Sequence, residues 1–350
     1  MGYVGPLVVR RLRDVRPRTR LVGFDAGYFG PCLMDPLEEP ERALDEQILG
    51  DVRAFPAGLF DAVSGVAHLA GISNDPIGKA WESVTWEVNR DATIALAAAA
   101  KAAGVRSFVF ASSCSIYGCA ESGARSERSE THPLTAYAKS KLAAEQGLSA
   151  LADDSFRVTC LRFATACGFS PRLRLDLVLN DFVASAIRDS ALRILSDGTP
   201  WRPLIHVRDM ARAIEWALQR TDGPPFLVVN AGSDEWNYQV RDLAEAVADR
   251  IPGIQVHQNP NAPPDKRTYR VDFSLFRRLA PNHQPEMSLY GAIDEMAGML
   301  RETAYAEQTD TDQFSRLRVL ERLTRNGMLT PELRWAGSRV RTEVEEAQWA

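Results

Sequence analysis

The sequence predicts an α/β protein: a doubly wound parallel sheet with helices on both faces, followed by a smaller C-terminal lobe. Three observations carry this. Short apolar runs, such as Leu21-Val22-Gly23-Phe24, Val66-Ala67-His68-Leu69 and Phe108-Val109-Phe110-Ala111, alternate with stretches of helical periodicity. A glycine turn, Gly2-Tyr3-Val4-Gly5-Pro6, leads directly into an apolar stripe at helical spacing over 7–12. The first apolar run ends in a carboxylate, Asp25, twenty positions after Gly5.

The bulk numbers bound the possibilities. At 350 residues the chain can build one large core or two lobes sharing a cleft. Its 45% hydrophobic and 25% charged residues are those of an ordinary globular protein. A net charge of −5 argues against a general nucleic-acid binder, whose phosphate contacts need a basic surface. No apolar run approaches the ~20 residues that span a bilayer, so no membrane partner is expected. The arginine-rich start lacks a cleavage pattern and is not read as a targeting peptide. Five cysteines without C-x-x-C spacing read as buried, reduced thiols of a cytoplasmic protein. The five histidines lack metal-ligand spacing, and no metal site is expected.

Each element follows in order. Pro6 suits a first helical turn, where its missing N–H costs nothing. Residues 20–25 form a short buried strand, Leu49-Gly50-Asp51-Val52-Arg53 a turn, and 66–71 a strand end reaching Ala70 and Gly71. His68 reads as a packed strand residue. A long helix covers 86–104, with Asn89 near its start and an alanine run that lets another helix approach closely. Residues 107–113 are a buried strand bringing Ser112 and Ser113 to its tip, and 121–133 a polar loop over the cleft. The next helix carries Tyr137 and Lys141. After a strand at 157–163 the alternation loses its regularity, which marks entry to the second lobe. A strand at 226–232 and an amphipathic helix at 240–251 follow. Phe314, Leu317, Leu320 and Leu323 recur at helical spacing, Asn326-Gly327 stops that helix, and Trp335 is expected to anchor the tail. The resulting division is 1–165 for the first lobe, 166–305 for the second, interleaved with returning sheet elements, and 306–350 for a helical tail.

Tyr137 and Lys141, four residues apart, share one helix face, so an ammonium can sit beside a phenol. With the Ser113 hydroxyl they form a proton-transfer set for alcohol/ketone interconversion. Moving a phenol from a pKa of about 10 to about 7 takes about 4 kcal/mol. One positive charge about 4 Å away, in an effective dielectric near 20, contributes about that much.

These motifs, Ser112-Ser113-Cys114-Ser115 and Tyr137-x-x-x-Lys141 behind a glycine turn, resemble the extended short-chain dehydrogenase/reductase superfamily, within it the nucleotide-sugar epimerases and dehydratases. The resemblance covers about residues 2–272. It implies a Rossmann-type doubly wound parallel sheet with a smaller C-terminal substrate-binding lobe. It implies bound NAD held by Gly2, Gly5, Asp25, Asp51, Val52, Ala70, Asn89, Tyr137 and Lys141. An acid at Asp25 would accept from the ribose hydroxyls and repel a 2′-phosphate, favouring NAD over NADP. For a nucleotide-diphosphate sugar it implies contacts from Ser115, Asn180, Arg202 and Arg267, the guanidinium forks suiting the diphosphate. A homodimer built on the 86–104 and Tyr137 helices is expected by the same resemblance.

The family's fingerprint is Gly-x-x-Gly-x-x-Gly after a strand, and only its last two glycines are present, as Gly2 and Gly5. The first strand is absent, and its loss would leave unpaired edges inside the sheet. The expectation is a natural start about ten residues upstream, or a fragment.

The residues after the serine sort the reaction. Dehydratases of the family carry Asp-Glu there, its decarboxylases a glutamate at the second position, and this chain has Cys114-Ser115. One 3,5-epimerase type places a reactive cysteine at the Ser115 position. Cys114, shifted by one, would face the other side of the strand and reads as structural. The expectation is therefore a C4 epimerase working through a transient 4-keto-sugar, with Ser113, Tyr137 and Lys141 as catalytic residues. The alternatives are an NAD(P)H-dependent 4-keto-6-deoxy nucleotide-sugar reductase, then a dehydratase or a non-catalytic NAD(H)-sensing protein.

Overall fold

The computed structural model describes residues 1–35, 39–120, 123–258, 262, 268–308 and 310–337. Helix α1 (Gly5–Val15) starts on the glycine turn with Pro6 in its first turn. Strands β1 (Val22–Asp25) and β2 (Glu46–Leu49) pair in parallel, followed by β3 (Gly65–His68). Short helices α2 (Asp75–Ala80) and α3 (Glu82–Trp86) lead through a π-helical turn, Glu87–Ala92, into α4 (Thr93–Ala102). The single helix expected over 86–104 thus begins earlier and carries a π-bulge at Asn89. Such a bulge re-aims side chains and often marks a functional position.

Strand β4 (Ser107–Ser113) is the spine of the molecule: Phe108, Val109 and Phe110 are fully buried, each contributing about 1.5–3 kcal/mol. A two-residue strand β5 (Ala124–Arg125) precedes α5 (Ala136–Ser149), whose Thr135 cap accepts from Ala138 N–H. Then come β6 (Arg157–Phe163), β7 (Thr165–Cys167), α6 (Val178–Asp189), β8 (Ala191–Ile194), β9 (Trp201–His206) and α7 (Val207–Gln219). The chain returns to the main sheet with β10 (Phe226–Ala231). It ends with β11 (Asn237–Gln239), α8 (Val240–Arg250), β12 (Gln255–Gln258), β13 (Arg270–Val271), α9 (Ser274–Leu279), α10 (Leu289–Glu302) and α11 (Arg316–Arg325).

The main sheet is parallel in the order β10-β6-β4-β3, and β1-β2 form a separate parallel pair. Among the described residues the outer edges of β1 and β3 have no strand partner. The second lobe is built on the β11-β9-β7 sheet and the β12-β8 pair, with α6, α8 and α10 packed together. The polar stretch after β4 is partly ordered by β5, which pairs with β13.

Helices α4 and α5 pack face to face because their contact is made of small residues. Ala97, Ala100 and Ala144 are fully buried, and a Cβ at Gly147 would lie 2.2 Å from Ile94 Cδ1. The tail helix docks through Val319 and Leu320, but it starts at Arg316, so Phe314 is buried in a separate 3₁₀ turn, Asp312–Phe314, rather than in the helix. No helix among the described residues is long and apolar enough to cross a membrane.

Candidate active site

A cavity of about 1920 Å3 runs along the open edges of β1 and β3, from Gly65, Ser107 and Arg157 at the N-terminal ends of their strands to Ser113 and Tyr137 at the opposite end. Gly2, Gly5, Asp25, Asp51, Val52 and Ala70 line it, as do Ser113, Ser115, Tyr137, Lys141 and Arg202.

Ser113 ends β4 and caps the 3₁₀ turn Cys114–Tyr117, its Oγ accepting from Ser115 N–H at 3.1 Å. Tyr137 enters on the first turn of α5, fixed by the Thr135 cap, which itself donates to Asp75 at 2.6 Å. Removal from water raises the Tyr137 pKa, while hydrogen bonding to Ser113 and the charge of Arg174 pull it down. Lys141 departs from the expected phenol contact. Its Nζ donates to the Ala111 carbonyl at 2.8 Å and lies 4.6 Å from the Phe110 ring centre, against 6.0 Å from that of Tyr137. Burial lowers its pKa to about 8, opposed by the nearby Glu145 charge.

Ser115 lines the cavity, and its hydroxyl is buried without a hydrogen-bond partner among the described residues. Cys114 lies in the 3₁₀ turn rather than on the strand. It is fully buried, donates its S–H to the Arg162 carbonyl at 3.1 Å, and has its pKa pushed far up by burial. Four of the five cysteines are buried, but Cys119 is exposed, a departure from the expectation of buried thiols. His68 bonds Thr93 at 2.8 Å and stacks on Phe110, with burial holding it neutral at a pKa of about 3.

Three expected ligand contacts serve the protein itself. Asn89 accepts from Ile72 N–H at 2.8 Å and donates to Ile72 O and Ser140 Oγ, bracing the strand-end loop against α5. Asn180 is fully buried, and both its amide hydrogens are used, on Tyr3 OH at 3.0 Å and Arg174 O at 2.8 Å. It clips the glycine turn to the loop before α6, leaving no amide hydrogen for a diphosphate. Asp51 is forked by its neighbour Arg53, which holds its carboxyl below the usual range despite burial. Arg202 reaches the cavity and donates to Trp201 O at 2.9 Å. Arg267 lies outside the described residues.

Other residues emerge only here. Arg174 lies against Tyr137's surroundings, forked onto Asp176 and bonded to Ser73. Glu145 and Arg162 form a buried ion pair beneath the cleft. An arginine in the apolar run Cys160-Leu161-Arg162-Phe163, and an acid one turn past Lys141, were the available signals. Trp335 anchors the tail over the Asp25 end of the cavity, donating to Ala26 O at 2.6 Å and packing on Tyr28.

The residues fit a bound dinucleotide. Helix α1 has no side-chain cap and no acid in its first turn, so its positive end is uncompensated. A Cβ at Gly2 would meet nothing within 4 Å, leaving room for close backbone approach.

A family model, described as "NAD dependent epimerase/dehydratase family", matches residues 1–232. The chain is similar to the UDP-glucose 4-epimerase of Streptomyces lividans, at 32% identity over 52% of this chain and 59% of that protein. It therefore spans about three-fifths of that relative. It is 30% identical to the uncharacterized UDP-glucose epimerase YtcB of Bacillus subtilis (strain 168), over 67% of this chain and 75% of the relative. Its fold is similar to that of MoeE5 in complex with UDP-glucose and NAD, with a TM-score of 0.72 and 25% identity over 87% of this chain and 97% of that one.

Proposed function

The chain belongs to the NAD dependent epimerase/dehydratase family, and from that premise we propose that it is an NAD-dependent nucleotide-sugar epimerase acting at C4. The observation that carries the reading is the convergence of Ser113, Tyr137 and Lys141 on one large cavity, with Cys114 and Ser115 where an eliminating enzyme needs carboxylates.

In this reading Gly2 and Gly5 at the α1 N-terminus hold the cofactor's pyrophosphate, Asp25 its adenosine ribose, and Val52 and Ala70 the adenine side and floor. NAD, when bound, supplies reversible hydride transfer. Tyr137 Oη takes the proton from the C4 hydroxyl and later returns it, while Ser113 Oγ hydrogen-bonds the same oxygen. Lys141 supplies the positive charge that makes the phenolate accessible near neutrality. Ser115 and Arg202 contact the sugar nucleotide. The α4 and α5 helices form a homodimer interface, checked by sedimentation.

The test is incubation of purified protein and NAD with a panel of UDP-sugars. Inversion at C4, lost in Tyr137→Phe, supports the reading. A panel without any inverted product overturns it, and steady oxidation of added NADPH with a 4-keto-6-deoxy sugar would replace it with the reductase.

A further inference from the structure

We propose that Glu145 and Arg162 are positioning residues of the catalytic set, acting through Lys141 and through the strand tip that carries Ser113. The inference rests on the assignment of Ser113, Tyr137 and Lys141 as that set.

The geometry is a clamp from behind. Arg162 stands in register with Ser112 on one side and Asn230 on the other, so the three form a row across β4, β6 and β10. Glu145, one turn past Lys141 on α5, reaches into this row. It accepts from Arg162 Nε at 3.0 and 3.2 Å, from Arg162 Nη2 at 2.7 Å and from Ser112 Oγ at 2.5 Å. Arg162 Nη1 donates to Tyr117 OH, which donates to Asn230 Oδ1 at 2.7 Å. Five segments that meet at the cleft are thereby tied together: the β4 tip, the turn after it, α5, β6 and β10. Side chains alternate along a strand, so holding Ser112 from the α5 side sets where Ser113 is presented.

The charge arrangement points the same way. Lys141 is surrounded by the Phe110 ring and Ala111 carbonyl of β4, neutral His68 of β3, the Cys160 thiol of β6, and Tyr137 and Glu145 of its own helix. Among these Glu145 is the one anion, and it opposes the desolvation that would strip the amine of its proton. Buried ion pairs can often be replaced by apolar residues at no loss of stability. A complete fork with a third bond to the serine strand, beside the catalytic lysine, is a costly arrangement for stability alone.

The test compares pH profiles of kcat for parent, Glu145→Gln and Glu145→Asp. In Glu145→Gln the alkaline limb, set by loss of the Lys141 proton, moves about one pH unit toward acid. Glu145→Asp, which keeps the charge, retains the parental limb even if kcat falls. A folded Glu145→Gln protein with the parental limb overturns the inference. Should Glu145→Gln fail to fold with Arg162 unpaired, the Glu145→Gln/Arg162→Met double variant leaves no orphan charge and is read in the same way. Tyr137→Phe separates the two levels. Its retained turnover would sink the catalytic assignment itself, whereas an inactive Tyr137→Phe with an unmoved Glu145→Gln limb sinks this inference alone.

Discussion

Lys141 Nζ is hydrogen-bonded to the Ala111 carbonyl oxygen at 2.8 Å, so the cleft's buried ammonium is moored to the strand, 6.0 Å from the centre of the Tyr137 ring.

Mooring a buried amine costs stability, and replacing it shows how much. The folded pKa of about 8 lies below the ordinary 10.5, so the unfolded chain binds more protons between those values. Stability therefore rises with pH across that window, and below it the full penalty of about 3 kcal/mol applies. Lys141→Met removes the penalty and loses one hydrogen bond worth about 1 kcal/mol. The variant is expected to be about 1–2 kcal/mol more stable than the parent at pH 7 by urea unfolding, with the advantage shrinking toward pH 10 and turnover abolished. Equal or lower stability at pH 7 would contradict it.

Asn89→Ala leaves the buried N–H and C=O of Ile72 without partners. A loss of about 2–4 kcal/mol in unfolding free energy is expected, together with weaker NAD binding by calorimetry, since the brace sits behind the cavity floor. Unchanged affinity at lowered stability would confine Asn89 to a structural role.

Trp335→Ala removes a ring packed on Tyr28 and the bond to Ala26 O, next to Asp25. The ring is partly exposed, so about 2 kcal/mol is expected rather than the ~3–5 of a fully buried aromatic. NAD should dissociate several-fold faster, read by dilution and fluorescence. A parental off-rate would detach the tail from the cofactor site.

Cys119 is the exposed thiol of five. Native protein is expected to release one equivalent of thionitrobenzoate rapidly with a disulfide reagent, and five in denaturant. Fast reaction of Cys114 would contradict its burial.

The fold class, and the meeting of Ser113, Tyr137 and Lys141 at one cavity, were legible in the sequence because their signals are local. Strand and helix periodicities lie within single elements, and Tyr137 and Lys141 declare a shared face through their spacing alone. Gly2 and Asp25 came to the cavity by the same logic, at a turn and a strand end related by spacing, whereas Ser115 and Ala70 were implied by the family resemblance. Asn89 and Asn180 show the limit: their residue type and position suggested ligand contacts, yet both are consumed by internal bonds to Ile72, Ser140, Tyr3 and Arg174. An amide's partner is set by whatever the fold places within about 3 Å, which spacing along the chain does not encode.

What the sequence determined by itself was the order of elements and the kinds of side chain at the strand tips, since both follow from chain-local sterics and hydrophobic periodicity. The tertiary structure alone decided where the charges went. It put Lys141 on the Ala111 carbonyl, Glu145 on Arg162 and Ser112, and Trp335 over Ala26. These contacts join residues up to 309 positions apart. Their energies depend on distance and desolvation in the folded state, quantities that exist only once the sheet and its helices have closed around them.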